Sequence, residues 1–404
     1  MKGKVLFFNI PKGFGKIRTI ENQPREIFIH FSEIQDDAKI LLENEEVDFE
    51  IEDNPKGKIA KGLRRTIDRF IGTIEDFENG FGFINRSSTG EKYFIHHTNV
   101  IGSGFKKIDI GYEVEFTPSV SERGLQAIDV VLRDSRSALE KFAIYNDWER
   151  SIADLANNHA QKEDGNWDYI NGKTGKHPVL ESYITHTFLR LLKEGKIKYA
   201  NINSKGKEQK YACFNTGLAT NKQEDIFAYF EHRSNSNVFK GNEGYLKQPI
   251  WVFKAFDRES NRLMNNFPTK PELPNYFQKA AELIYDSGKR LIPDFEHILD
   301  DREKRFPEDF INLSKAQQVE RIKSSIESAL VRIKRNYKTA IPQFYNNSIQ
   351  LLLPLCLTTA ENADVALVVA SEGEVYRANT VLPLDWAYNN ARLLAKPDRE
   401  WLNP

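Results

Sequence analysis

Cysteine is scarce in this chain: its 404 residues include only Cys213 and Cys356. With no CxxC pair, zinc sites built from several cysteines are excluded, and two distant thiols make no disulfide framework. That usage fits a reducing compartment, so a cytoplasmic protein is expected. Long apolar runs are also missing. No stretch of about 18 apolar residues occurs, so neither a membrane span nor a membrane partner is expected. The N-terminus enters a strand-like segment, GKVLFFN, without a signal-peptide pattern. The N-x-[ST] matches at Asn85, Asn312 and Asn346 therefore read as chance. Net charge is lacking too. Lys and Arg number 57 against 58 Asp and Glu, so no global field draws a polyanion and any such site must be a local patch.

What is present is a soluble, globular balance, with 40% hydrophobic and 28% charged residues, in a chain long enough for two to four domains. From Gly3 to about Thr66, short alternating runs (GKVLFFN, FGKIRTI, EIFIHF, EEVDFEI) are separated by turn residues. A second cycle, FIGTIEDF, FGFINR, KYFIHH, YEVEFTP and LQAIDVVL, runs from about Phe70 to Leu132. Two cycles of short strands predict two small β-barrels in tandem, over residues 1–67 and 68–133. By themselves they would also suit two β domains without a ligand.

The aromatics argue for a ligand. KGFGKI (Lys12–Ile17) and NGFGFI (Asn79–Ile84) set Phe14 and Phe81 between glycines. Strand alternation puts Phe14 with Lys16, Phe28 with His30, and Phe81 with Phe83 on common faces. Rings among glycines, lysines and histidines suit stacking on bases, worth roughly 1–3 kcal/mol each and tolerant of sequence. Both cycles resemble cold-shock domains, the OB-type barrels that bind single-stranded RNA or DNA. KGFGKI and NGFGFI match that family's first ribonucleoprotein motif, and IFIHF (Ile27–Phe31) and YFIHH (Tyr93–His97) match the second. The resemblance implies a nucleic-acid site of Phe7, Lys12, Phe14, Lys16, Phe28, His30 and Phe31 in the first module, with Phe7 at the family's usual exposed tryptophan. In the second it implies Phe77, Phe81, Phe83, Lys92, Phe94 and His96. Lys16 replaces an aromatic of the family and His97 a phenylalanine, so each module is an incomplete version of the family surface. The basic run KGKIAKGLRR (Lys56–Arg65) reads either as a grip on the backbone between two sites in series or as a solvated charge run.

Residues 134–404 predict a mixed α/β (α+β) domain. Helices are expected from Ser135 to about Ala156, over PVLESYITHTFLRLLKEGK, as a short one over NKQEDIFAYFEHR, over Pro274–Arg305 with a break at Pro293, from a Ser314 cap to about Lys338, and over LDWAYNNARLLAK. Strands are expected over KIKYANI, QKYACFN, KQPIWVFKAF, IQLLLPLCL, ADVALVVA and EVYRANTVLP, the apolar runs being central ones. NGKTGKHP (Asn171–Pro178) reads as a loop whose glycine spacing does not make a Walker motif.

Three polar clusters, FNTGL, RIKRNYKTA and AYNNAR, are expected to meet in a pocket of Asn215, Thr216, Arg332, Arg335, Asn336, Tyr337, Asn389, Asn390 and Arg392. Arginines and asparagines there suit a phosphate or a nucleotide. Asp364, Asp385, Asp398 and His232 are available as bases but form no recognisable constellation, so catalytic residues stay unassigned and no metal site is assigned. FNTGL, RNYKTAIPQ with LLLPLCL, and AYNNARLLAKPDREWL resemble a family known only as a domain of unknown function, often joined to RNA-binding modules. Three readings remain open: a hydrolase acting on an RNA end or nucleotide phosphate bond, with a divalent ion (Mg or Mn) if catalytic; a non-catalytic RNA-binding or nucleotide-sensing regulator; and a structural or interaction role.

Overall fold

The computed structural model of the chain describes residues 1–10, 12–55, 57–78, 80–101, 108, 111–121, 124–133, 136–163, 167–168, 176–204, 207–235, 249–260, 262–300, 305–345, 348–397 and 401–402. Lys56, Asn79, Ser135, residues 171–175 of the NGKTGKHP loop, Asn346 and Asp398 lie outside them. The chain divides into two compact units, the first running from Met1 to Arg136 and the second beginning at Ser137. Among the described residues no helix is long and apolar enough to cross a membrane.

The first unit holds two closed five-stranded barrels. In one, β1 (Lys2–Asn9), β2 (Phe14–Thr19), β3 (Glu26–His30), β4 (Glu46–Asn54) and β5 (Gly57–Arg65) close in the order β1-β2-β3-β5-β4. In the other, β6 (Phe70–Glu78), β7 (Phe81–Arg86), β8 (Lys92–His96), β9 (Glu113–Ser121) and β10 (Gly124–Leu132) close in the order β10-β8-β7-β6-β9. Alternate residues fill each interior: Val5, Ile17, Ile27, Ile29, Val47 and Phe49 in the first, Ile74, Ile84, Tyr93, Ile95, Val114 and Phe116 in the second.

The barrels touch through charged groups. The Glu115 carboxylate on β9, 0% exposed, accepts from the backbone amides of Lys39 at 2.7 Å and Ile40 at 2.8 Å in the first barrel. Burial pushes its carboxyl above the usual range, against the pull of those two amides, Arg133 and Arg65. Arg65 donates to the carbonyls of Ala38 and Ile40 at 2.8 and 2.9 Å and pairs with Asp36 and Glu45. Most of the basic run is thus strand β5. Lys58 pairs with Asp53, Lys61 with Glu33, Arg64 donates to Gln35, and Arg65 is buried rather than offered to a ligand.

The second unit contains two five-stranded sheets. It opens with α1 (Ala138–Phe142), the two-residue β11 (Ala143–Ile144) that forms an edge of the first sheet, α2 (Trp148–Asp154) and α3 (Pro178–Lys193). The single helix expected over this start is therefore cut, because Ala143 and Ile144 pair in parallel with Trp251 and Val252. The sheet continues with β12 (Lys198–Ser204), β13 (Lys207–Ala219), β14 (Asp225–His232) and β15 (Trp251–Arg258), in the order β11-β15-β14-β13-β12. NKQEDIFAYFEHR, expected as a helix, supplies β14. As a central strand it is apolar on both faces, and such a run carries no period to tell it from a helix.

The second sheet is β16 (Arg290–Pro293), β20 (Val375–Leu382), β19 (Val365–Glu372), β18 (Ser348–Leu355) and β17 (Ile341–Tyr345) in that order. Its helices are α4 (Phe295–Asp300), α5 (Glu308–Ile311), α6 (Lys315–Arg335) and α7 (Leu384–Arg392). The expected helix over 274–305 is corrected to a short 3-10 turn, β16 and α4. The α6 helix starts where its capping box predicts: Ser314 accepts from Gln317 N while the Gln317 side chain accepts from Ser314 N. It ends at Arg335, before the expected Lys338.

The second sheet is covered on both faces. Leu351, Leu353 and Leu367 meet Ile322, Ile326 and Ile333 of α6 in one core, whereas Leu352, Ala366 and Val368 share another with Tyr388 and Ala391 of α7. That second core also contains α3 and one face of the first sheet.

The last helix is fastened by charge. The Glu163 carboxylate accepts from Arg392 Nε at 3.0 and 3.2 Å, and the guanidinium lies 4.6 Å from the Trp167 ring centre and 4.7 Å from that of Tyr183. Glu163→Ala leaves a buried cation unpaired and should cost about 3–5 kcal/mol in chemical denaturation. The apolar pair Glu163→Leu/Arg392→Met should recover most of that loss. A Glu163→Ala cost below about 1 kcal/mol would instead mark the pair as a solvent-screened one.

Candidate nucleic-acid interface

The two Gly-Phe-Gly motifs come from one backbone constraint. Gly13 and Gly80 have φ of 68° and 92°, a region that side chains resist. Gly15 and Gly82 face bulges in the preceding strands, where an added Cβ would collide with the carbonyl oxygens of Phe7 and Asp76. The glycines are therefore needed for the strand pairing, and the phenylalanine between each pair is turned outward.

On the first barrel the Phe14 and Phe28 rings stack at 5.8 Å with 28° between planes. On the second, Phe81 and Phe94 repeat the arrangement at 6.4 Å and 28°, and Phe83 adds an edge contact to Phe94 at 6.0 Å. Phe7, Phe28, Phe81 and Phe83 are exposed. His30 Nδ1 lies 2.9 Å from Ser32 Oγ, and His96 Nδ1 2.7 Å from Thr98 Oγ1, so both imidazoles are held beside the rings in the same way. Phe31 is half-buried against the first core and against the His30 ring at 4.5 Å, and it serves as a backing for that site.

One expected residue moves. Phe77 is 9% exposed and belongs to the second core, while Phe7 is 44% exposed. The register explains why. Phe7 pairs with Lys16, and Asp76 pairs with Phe83, so Asp76 holds the place of Phe7 and Phe77 that of Phe8. Asp76 Oδ1 accepts from Phe83 N at 2.8 Å. Ring and charge have exchanged strands: the first barrel has an aromatic on its first strand and a cation opposite, the second a carboxylate and an aromatic. Both opening strands carry the same bulge, at Leu6 and at Glu75, so GKVLFF and GTIEDF align residue for residue, and that alignment is the signal that could have found Asp76.

The cations are not free. Lys16 Nζ pairs with Glu26 at 2.8 Å, and that hydrogen bond holds the Glu26 carboxyl below its usual range. Lys92 pairs with Glu75 at 2.8 Å, which raises its ammonium pKa. Exposed pairs of this kind contribute at most about 1 kcal/mol, so a phosphate can displace the carboxylate. Lys12 is exposed at the turn before β2, its amide bonded to Asn9 Oδ1 at 3.0 Å.

In the second unit the expected pocket does not assemble as a whole. Asn215 and Thr216 fix a bulge in β13. Asn215 Oδ1 accepts from Gly217 N at 2.9 Å, its Nδ2 donates to Asp225, and Thr216 donates to Ile226 O at 2.6 Å. Both are buried. Arg392 comes near them, since its guanidinium and Gly217 both abut Tyr183. Asn390 donates to Gln343 at 3.1 Å, and Asn389 sits half-buried on the same helix. Arg332 and Arg335 belong to α6, across the second sheet from α7. Arg332 donates to Ala360 O and lies 3.7 Å from Cys356 Sγ, while Arg335 is exposed. Asn336 caps the following turn by accepting from Lys338 N at 3.1 Å. Tyr337 and Lys338 do meet Ala391 and Lys396, across a cleft of ≈ 800 Å³. A larger cleft of ≈ 1120 Å³ lies beside Arg190, Tyr276 and Lys289, outside the expected clusters. Among the described residues no three His, Cys, Asp or Glu side chains gather as a metal site would require.

The family model for a domain of unknown function, DUF3825, matches residues 156–401, and the 'Cold-shock' DNA-binding domain matches 1–66 and 70–133. The chain belongs to the DUF3825 family and carries two cold-shock domains. Cold shock-like protein CspI of Escherichia coli (strain K12) is 51% identical over 61 residues, 15% of this chain and 86% of that protein. Probable cold shock protein A of Mycobacterium tuberculosis is 44% identical over 64 residues, 16% of this chain and 94% of its own length. The solved structure of drosophila Unr CSD456 is similar at 26% identity over 32% of this chain, with a TM-score of 0.17, and the chain spans 60% of it. Cold-shock domains indicate nucleic-acid binding, and the outward rings lie where the two matches fall.

Phe14→Ala/Phe28→Ala, and separately Phe81→Ala/Phe94→Ala, should each weaken binding to a single strand by roughly 1–3 kcal/mol per lost stack while the melting transition stays in place. Phe77→Ala should do the reverse, lowering stability by about 3–5 kcal/mol as a core cavity. Fluorescence anisotropy and thermal melts on the same samples separate the two effects.

Proposed function

We propose that the chain binds single-stranded RNA through two cold-shock faces of unlike character. The repeated stacked pairs, Phe14 with Phe28 and Phe81 with Phe94, are the observation that carries this reading. The first face sets Lys12, Lys16 and Arg18 beside its rings and so leans on phosphates. The second sets Phe83 beside Glu75 and Asp76 and so leans on base stacking.

Action of the larger domain on an RNA end or a nucleotide phosphate bond asks for cations turned to a phosphate. Arg392 is committed to Glu163, and Arg332 to the Ala360 carbonyl, which favours the binding reading over the catalytic one. Incubation of the protein with end-labelled RNA, with and without magnesium or manganese, should return the RNA intact. A cleaved or dephosphorylated product would move the conclusion to an enzyme.

Anisotropy titrations with an oligouridylate, the matched oligothymidylate and a duplex test the main reading. Both single strands should bind and the duplex should not. Lys16→Phe should flatten the salt dependence, the log–log slope losing about 0.7 for one phosphate contact on a single strand. An unchanged slope would mean that Lys16 stays with Glu26 in the complex.

A further inference from the structure

Neither barrel needs Glu115 for its own core. The register of β6 on β9 and of β1 on β4 makes Val114 and Phe116 the counterparts of Val47 and Phe49. Asp48 is then the counterpart of Glu115, and it is only half-buried. A carboxylate out of water is costly unless its oxygens are bonded. Here both oxygens are used, one on each of two successive main-chain amides, Lys39 N and Ile40 N, of the other barrel. Main-chain donors cannot swing away as a side chain does. The segment that offers them is itself held, because Arg65 binds the carbonyls of Ala38 and Ile40.

The short connection is tied on its far side as well. Arg69 is buried and donates to Glu115 O and Asp129 O, both at 3.1 Å, and to Thr117 Oγ1 at 3.3 Å. The connection thus leaves one barrel at a fixed arginine and enters the next at another, with the carboxylate between them.

We propose that Glu115 locks the two barrels into one platform, so that a single strand long enough to reach both faces is held by both in one register. The proposal rests on the single-strand reading above. It makes Glu115 a positioning residue, far in role from the rings that touch bases. Fixed geometry matters because the second contact is then made at an effective concentration set by structure rather than by a swinging tether.

The test uses the full chain in a Cys356→Ser background, with spin labels at Gln23→Cys and Ser88→Cys, one on each barrel. Without ligand the wild-type distance distribution should be a single narrow peak. Glu115→Ala should broaden it. Glu115→Gln, which keeps the shape but turns a donor toward one of the two amides, should broaden it as well and guards against a folding defect in the alanine variant. Binding is read with an oligouridylate of about six nucleotides, enough for one OB-type face, and one of about fourteen. The long strand should bind the wild type at least about 100-fold more tightly than the short one. Glu115→Ala should leave short-strand affinity unchanged and cut the long-strand advantage at least about tenfold. A broad wild-type distribution, or a long-strand advantage untouched in both variants, overturns the proposal. Loss of short-strand binding in the wild type would instead overturn the single-strand reading itself.

Discussion

A five-stranded barrel of this size closes around one layer of side chains, and that limit decides the rest of the first unit. Alternate positions fill the interior with Val5, Ile17, Ile27 and Ile29, or with Ile74, Ile84, Tyr93 and Ile95, until no room is left. Rings at the intervening positions must face water. Phe14, Phe28, Phe81 and Phe94 are there because the pleat puts them there, and their exposure costs hydrophobic free energy that only a partner surface returns. The bulges opposite Gly15 and Gly82 tighten the same strands and aim the rings.

The order of elements was largely legible in the sequence, and the reason is period. Two-residue alternation marked the barrel strands, and the Ser314 capping box with an apolar stripe marked α6. Legibility failed where period is silent. β14 is apolar on both faces and so resembled a helix. Ala143 and Ile144 became a strand because Trp251 and Val252 lie beside them, a fact nothing local announces. Phe77 was matched to Phe7 as a ring, whereas the bulge shared by both strands turns Phe7 and Asp76 outward and Phe8 and Phe77 inward.

The candidate pocket of the larger domain failed in an instructive way. Polar residues in an apolar stretch were read as ligands. Three of the nine prove to be internal fasteners of irregular backbone. Asn215 and Thr216 satisfy the donors and acceptors that the β13 bulge frees, and Asn336 does the same for the end of α6. Sequence shows that such a residue wants a hydrogen bond. It does not show whether the partner is a ligand or the chain itself, and the geometry answers with the chain.

The two barrels show how a duplicated module diverges without losing its frame. The glycines, most of the inner aliphatics and the stacked pair are kept, since each is demanded by closure or by the rings, although Ile27 inside the first barrel is Tyr93 inside the second. Three further changes lie on the outer face, where substitution disturbs no core: Phe7 against Asp76, Lys16 against Phe83, Glu26 against Lys92. The first two exchanges trade stacking for charge in opposite senses on the two faces, and the third reverses the sign of a charge. A strand across both, as proposed above, would meet phosphate attraction on one face and base stacking on the other. That pairing of unlike faces has meaning only if the barrels keep a fixed relation, and the buried carboxylate between them is the group in a position to keep it.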